Sequence, residues 1–138
     1  MSIESKTIKL STKGNCDIID ITEKVASHVE NSKIKDGIVT VFVVGSTGAL
    51  TTVEYESGLI ADIKEFFQQI IPDNISYKHD QTWHDGNGHA HLRASLLGPS
   101  ITVPFSHSKL ILGTWQQIIF IDFDNRSRSR ELVVQIVG

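Results

Sequence analysis

Cysteine occurs once in the 138 residues, at Cys16, which rules out an intrachain disulfide and any zinc site built on cysteine pairs within one chain. No motif surrounds that thiol, so it reads as a small core residue rather than a nucleophile. A basic excess is also missing. Thirteen Lys and Arg against sixteen Asp and Glu give a formal charge of −3, a poor basis for binding nucleic-acid phosphates. No apolar run approaches the ~20 residues of a membrane span, and the opening Met1-Ser2-Ile3-Glu4-Ser5-Lys6 has no apolar stretch after its charges. The expectation is a cytoplasmic protein that is the whole chain, with neither nucleic acid nor membrane as partner. Repeats, linkers and low-complexity tracts are absent too. The average composition, 40% hydrophobic and 21% charged, points to one ordered domain spanning 1–138.

What is present alternates between strand-like and helix-like patterns. Thr7 to Leu10 and Cys16 to Ile19 read as strands around the turn Ser11-Thr12-Lys13-Gly14-Asn15. Asp20 and Glu23, three apart, form a capping-box pattern that opens a helix to about Ser32. Ile38 to Val44 has only Thr40 polar, the pattern of a central strand covered on both faces. Leu50 to Val53 resumes extended character after a glycine-rich turn. Leu59, Ile60, Ile63, Phe66, Phe67 and Ile70 then recur at helical spacing until Pro72. From about Asp73 to Gly88 the chain is polar and aperiodic, a loop long enough to suggest function. His89 to Leu97 reads as a short helix capped by Asn87 and ended by Gly98-Pro99, with an alternating strand as the other reading. Ile101 to Phe105, Leu110 to Leu112, Trp115 to Phe123 and Leu132 to Val137 are strand material. The sum is an α+β sandwich of mixed or antiparallel sheet with two main helices and a short one.

Five of the six histidines, His79, His84, His89, His91 and His107, fall within 29 positions. Neutral imidazole is the commonest metal ligand, so His79, His89 and His91, with Glu54 or Asp85 as oxygen donor, form a candidate metal site with an open position. The other reading leaves them as separate surface groups or as hydrogen-bond partners ordering the loop. Ser46 and Thr47, in a glycine-flanked loop after a buried strand, can hold a phosphate oxygen, although a plain turn is the better reading of the sequence alone. Arg126, Arg128 and Arg130 match phosphate geometry, or form a solvated hairpin. Trp115 can stack on a heterocycle whose edge Gln116 bonds, or sit in a core.

The block Gly88-His89-Ala90-His91-Leu92-Arg93-Ala94-Ser95-Leu96-Leu97-Gly98-Pro99-Ser100, then Thr102-Val103-Pro104 and Leu112-Gly113-Thr114-Trp115-Gln116, resembles the YjbQ family, the secondary thiamine-phosphate synthases. Ser46 to Thr51, Glu54, Tyr77-Lys78-His79 and Asp124 extend the resemblance over nearly the whole chain. It implies a homotrimer with a histidine-lined divalent metal, zinc or magnesium, acting on small phosphorylated heterocycles. It further implies Glu54 and Arg93 as catalytic groups, and Ser46, Thr47, Trp115, Gln116 and Arg130 as substrate contacts. Two positions depart from the family pattern: Gly45 stands where many relatives have histidine, and Ser127 and Ser129 interrupt the late arginines. The alternatives to a transferase are a non-catalytic metabolite-binding trimer and a metal-assisted phosphate-ester hydrolase.

Overall fold

Side-chain alternation decides the layers. In the computed structural model, which describes Met1–Gly138, the strands are β1 (Ile3–Thr12), β2 (Asp17–Asp20), β3 (Gly37–Val43), β4 (Gly48–Val53), β5 (Ser100–Ser106), β6 (Lys109–Leu110), β7 (Gln117–Asp122) and β8 (Arg128–Val137). The helices are α1 (Thr22–Glu30), α2 (Ser57–Ile70), α3 (Lys78–Trp83) and α4 (Gly88–Leu97). A large sheet has the order β1-β8-β3-β5-β6 and a small one β2-β7-β4. All pairings are antiparallel. The α+β reading holds, with the sheet purely antiparallel.

Two cores separate three layers. Val39, Val41 and Val43 of β3 and Leu132, Val134 and Ile136 of β8 face Ile118 and Phe120 of β7, while Val25 and Val29 of α1 close one end. On the other face of β7, Ile119 and Ile121 pack with Phe67 of α2 and Ala90 and Ala94 of α4. The strand buried on both faces is therefore β7, not β3. β3 is central in its sheet, yet Ile38 and Phe42 stay 44% exposed on its outer face. Gly48 lets β4 cross the Phe120 ring, because a Cβ there would lie 2.6 Å from the ring edge.

Several boundaries move for local reasons. α1 is capped through Asp20, whose carboxylate accepts the Thr22 N–H at 2.9 Å and the Thr22 hydroxyl at 2.6 Å; Glu23 takes no part in the cap. α3 forms inside the stretch read as aperiodic loop. At six residues it is too short to show a hydrophobic period, and it is held by Asp80, which accepts the Tyr77 N–H at 2.9 Å. α4 is a helix that starts after Asn87 and stops at Gly98, as read, but the Asn87 side chain does not cap it and bonds Asp124 and the Asn125 N–H instead. β8 begins at Arg128, so Arg128 and Arg130 are strand, while Arg126 stays in the turn before it. Trp115 lies outside β7, and Leu112 lies outside β6.

Phe120 is fully buried where the two sheets meet. Phe120→Ala should lower unfolding stability by about 3–5 kcal/mol, read as a lower urea midpoint with little change in denaturant slope.

Candidate functional site

Strand periodicity brings charge into the interior at one end of the sandwich. Along β8, Arg130, Leu132, Val134 and Ile136 point inward, so Ser129 is not a dilution of the arginines but the outward partner in the alternation. Along β7, Asp122 shares the inward face of Ile118 and Phe120. The two charges meet: Arg130 Nε donates to Asp122 Oδ2 at 2.7 Å and Nη2 donates to Asp122 Oδ1 at 2.8 Å. Arg130 is 9% exposed and Asp122 fully buried. A two-pronged bond satisfies a planar guanidinium well enough to offset much of its desolvation cost. The hydrogen bonds to Asp122 hold the Arg130 pKa above its ordinary value, with burial opposing.

Asp124, two residues on, collects the surrounding elements. Its Oδ2 accepts the Thr47 hydroxyl at 2.9 Å and Asn87 Nδ2 at 3.2 Å, and it pairs with Arg128 Nη2 at 3.0 Å. Asn87 also accepts the Asn125 N–H at 3.0 Å. The β3–β4 turn, the start of α4 and the start of β8 thus share one carboxylate. Burial raises the Asp124 pKa, but the bonds from Arg128, Thr47 and Asn87 outweigh it and hold the group below the usual carboxylate range.

The histidines stand beside this network. Asp80 accepts the Gly88 N–H at 2.8 Å as well as the Tyr77 N–H, so it ties α3 to α4. That places the His79 and His91 rings 4.2 Å apart, centroid to centroid, tilted by 37°. His79 Nδ1 is buried without a hydrogen-bond partner and lies 3.6 Å from Asp85 Oδ1. Ligand atoms of His79, Asp80 and Asp85 all lie within 4.8 Å of one another. Two ligand atoms on one tetrahedral zinc are roughly 3.3–3.5 Å apart from bond lengths near 2.0–2.1 Å, so the orphaned nitrogen and Asp85 fit a shared ion. Burial, then repulsion from His79, lowers the His91 pKa, which favours the neutral, ligand-competent ring at pH 7.

His89 is not part of this group. On a helix it diverges from His91 by about 200°; it is buried on the other flank of α4, where burial and then Arg93 lower its pKa. Arg93 is likewise structural. It is buried, donates from Nε to the Ile71 carbonyl at 2.9 Å and from Nη2 to Gln68 at 3.1 Å, and lies near the Phe67 and Phe123 rings.

Glu54, Trp115 and Gln116 sit at the opposite end. β4 pairs Gly48 with Asp122 and Val53 with Gln117, so these three lie about 17 Å from the Asp122 end at ~3.4 Å per residue. Gln116 is committed to its own loop, accepting the Gly113 N–H at 3.0 Å and donating to the Thr52 hydroxyl at 3.0 Å. Trp115 is 71% exposed. Thr47 is spent in the network, since its hydroxyl also accepts Arg130 Nη2 at 2.6 Å. Ser46 remains open, in a cleft of about 470 Å³ shared with Phe42, Gly45, His91, Ser95 and Pro99. A larger depression runs along Ser2–Lys6 and the 31–36 segment, but it holds neither histidine nor cysteine. Asp122 and Asp80 were not singled out from sequence. The usable signal was two aspartates two apart after an apolar strand, facing arginines two apart on the next.

Residues 6–138 match the family model described as UPF0047 protein YjbQ-like. A UPF0047 protein of Archaeoglobus fulgidus is 44% identical over 93% of this chain and 97% of its own, and one from Methanothermobacter thermautotrophicus is 38% identical over 100% and 94%. Among solved structures, a YbjQ-like protein of unknown function from Sulfolobus solfataricus superposes with a TM-score of 0.93 at 36% identity, covering 99% of this chain and 98% of that one. A hypothetical protein from Aeropyrum pernix gives 0.90 at 30%, over 98% of each. No helix is long and apolar enough to cross a membrane.

Asp124→Asn should cost about 1.5–3 kcal/mol of stability at pH 7, as the Arg128 and Thr47 bonds lose their charge. A carboxyl more acidic when folded contributes stability above its unfolded pKa near 4 and loses it as pH falls through the lower folded value. Chemical denaturation between pH 2 and 7 should therefore show a shallower acid limb in the variant.

Proposed function

The chain belongs to the UPF0047 YjbQ-like family, and within it we propose a metal-dependent transferase acting on small phosphorylated heterocycles. The specific form of the reading is thiamine-phosphate synthesis. The carbon–oxygen bond joining a hydroxymethylpyrimidine to its diphosphate breaks, and diphosphate leaves with the electron pair. The thiazole phosphate's ring nitrogen supplies the pair for the new carbon–nitrogen bond.

The observation that carries the reading is the unpartnered His79 Nδ1 facing Asp85, with the His91 ring beside it on the wall of the cleft. His79 and Asp85, with Asp80 in the same cluster, would hold the ion, and the neighbouring His91 is assigned as a further ligand. Nitrogen donors suit zinc, whereas magnesium prefers an all-oxygen shell. A bound divalent ion supplies Lewis-acid neutralisation of the departing diphosphate. The chain's own groups bind and orient: Ser46 lines the same cleft as His91, Arg130 lies behind Gly45 on its wall, and Asp124 fixes the turn that carries Ser46. Arg93 acts as a positioning residue by bracing α4 against the end of α2.

Homotrimer assembly belongs to the same proposal. Head-to-tail contacts that close into a ring would carry the exposed Trp115 and Ile111, with Glu54 and Gln116, toward the cleft of the next copy. Static light scattering should give three times the 15.3 kDa chain mass; a monomer would leave those residues without a role in this cleft.

His91→Ala should reduce zinc affinity by at least about 100-fold, beyond the usual effect of second-layer changes, with circular dichroism nearly unchanged. Unaltered metal content by elemental analysis would remove His91 from the ligand set. Diphosphate release from the pyrimidine substrate should be abolished by chelator. Turnover absent or indifferent to chelation would reject the transferase in favour of a binding protein, and diphosphate or phosphate release without a thiazole acceptor would indicate a hydrolase.

A further inference from the structure

Arg130 spends only part of its guanidinium on the fold. Nε and Nη2 bond Asp122 and Thr47, and no hydrogen bond within the chain engages Nη1. Among buried side-chain atoms only His79 Nδ1 and Arg128 Nε lack a partner, so Nη1 is reached by solvent although the side chain is 9% exposed. The opening is Gly45: a Cβ at that position would lie 2.9 Å from Nη1. The Gly45 backbone is not left-handed, so the missing side chain, rather than a special turn, is what the position provides.

We propose that Gly45 is a specificity-determining residue that opens Arg130 Nη1 to the cleft as an anchor for one phosphoryl oxygen, with Phe42 as the apolar wall for a planar ring attached to that phosphate. Nη1 is pre-aimed. Its guanidinium is held by three hydrogen bonds from the other two nitrogens, so binding an oxyanion costs no further ordering of a flexible side chain. Asp122 already balances the Arg130 charge, so Nη1 contributes direction and a charged hydrogen bond more than net attraction. Ser46 lies beside Gly45 on the same turn, and Phe42 and Pro99 give the cleft its apolar side. A phosphomonoester of a flat ring matches one oriented donor next to an apolar wall. A long polyanion does not, because the residues lining the cleft include no lysine or arginine and Nη1 stands alone behind Gly45.

The inference shares its cleft with the proposed transferase and deepens it by naming the ligand's phosphate anchor, but its readout does not need turnover. Gly45→Val places branched carbon against Nη1, and Gly45→Ala is the milder form should the valine variant fail to fold. Calorimetric titration with inorganic phosphate should show affinity at least ten-fold weaker in Gly45→Val, with bound metal unchanged by elemental analysis. Phenyl phosphate should bind the unaltered protein more tightly than methyl phosphate, and Phe42→Ala should narrow that gap at least five-fold. Equal phosphate affinity with and without the side chain at position 45, in folded proteins, would overturn the anchor. So would undetectable phosphate binding by the unaltered protein, and an undiminished phenyl preference in Phe42→Ala would overturn the wall. If Gly45→Val loses phosphate binding while the unaltered protein holds no metal, the anchor stands and the metal-dependent reading falls.

Discussion

A charge pair sealed between two sheets governs this molecule. Asp122 and Arg130 are adjacent in space because two antiparallel strands from different sheets both point the residue at their shared end inward. Such a pair is costly to bury and costlier to break, so the layers are held at a set spacing wherever it sits. Asp124 extends that constraint sideways to the β3–β4 turn and to α4. The cleft inherits its shape from this arrangement: the turn that carries Ser46 and the helix that carries His91 are both tied to Asp124, through Thr47 and Asn87.

That dependence explains why the cleft end is polar inside and the rest of the sandwich is not. Along β7 the same alternation that seats Ile118 and Phe120 seats Asp122. One strand therefore serves as core for most of its length and as electrostatic anchor at its last position. The histidine pair borrows rigidity from a separate device, the Asp80 carboxylate bonded to the first amides of two successive helices. Rigid support under both halves is what a binding site needs to hold its groups in place before a ligand arrives.

The sequence made much of the fold legible because long periodic stretches carry their own signal. The amphipathic α2, the apolar β3 and α4, bounded by Asn87 and Gly98, all announce themselves. α3 did not, since six residues cannot display a period. Burial of β3 was over-read because an apolar run says that a strand is central, not that both its faces are covered. At the site, His79 and His91 were legible as a cluster, while His89 was misplaced by treating nearness in sequence as nearness in space on a helix. Asp122 was invisible because its partner lies eight residues on, across a turn to another sheet. Glu54 was grouped with the histidines as an oxygen donor and Trp115 and Gln116 as ring contacts, and one chain keeps all three a strand's length away.

The pairing of β1 with β8 runs from Ile3 opposite Val137 to Thr12 opposite Arg128, so the first strand made is matched to the last. During synthesis β1 must wait as an unpaired edge while more than a hundred residues emerge, and the buried arginine arrives only with its partner strand. Loop closure over that span is slow. The strand that carries Arg130 also supplies Leu132, Val134 and Ile136 to the larger core, so the charge pair beside the cleft and that core are completed by the same pairing event.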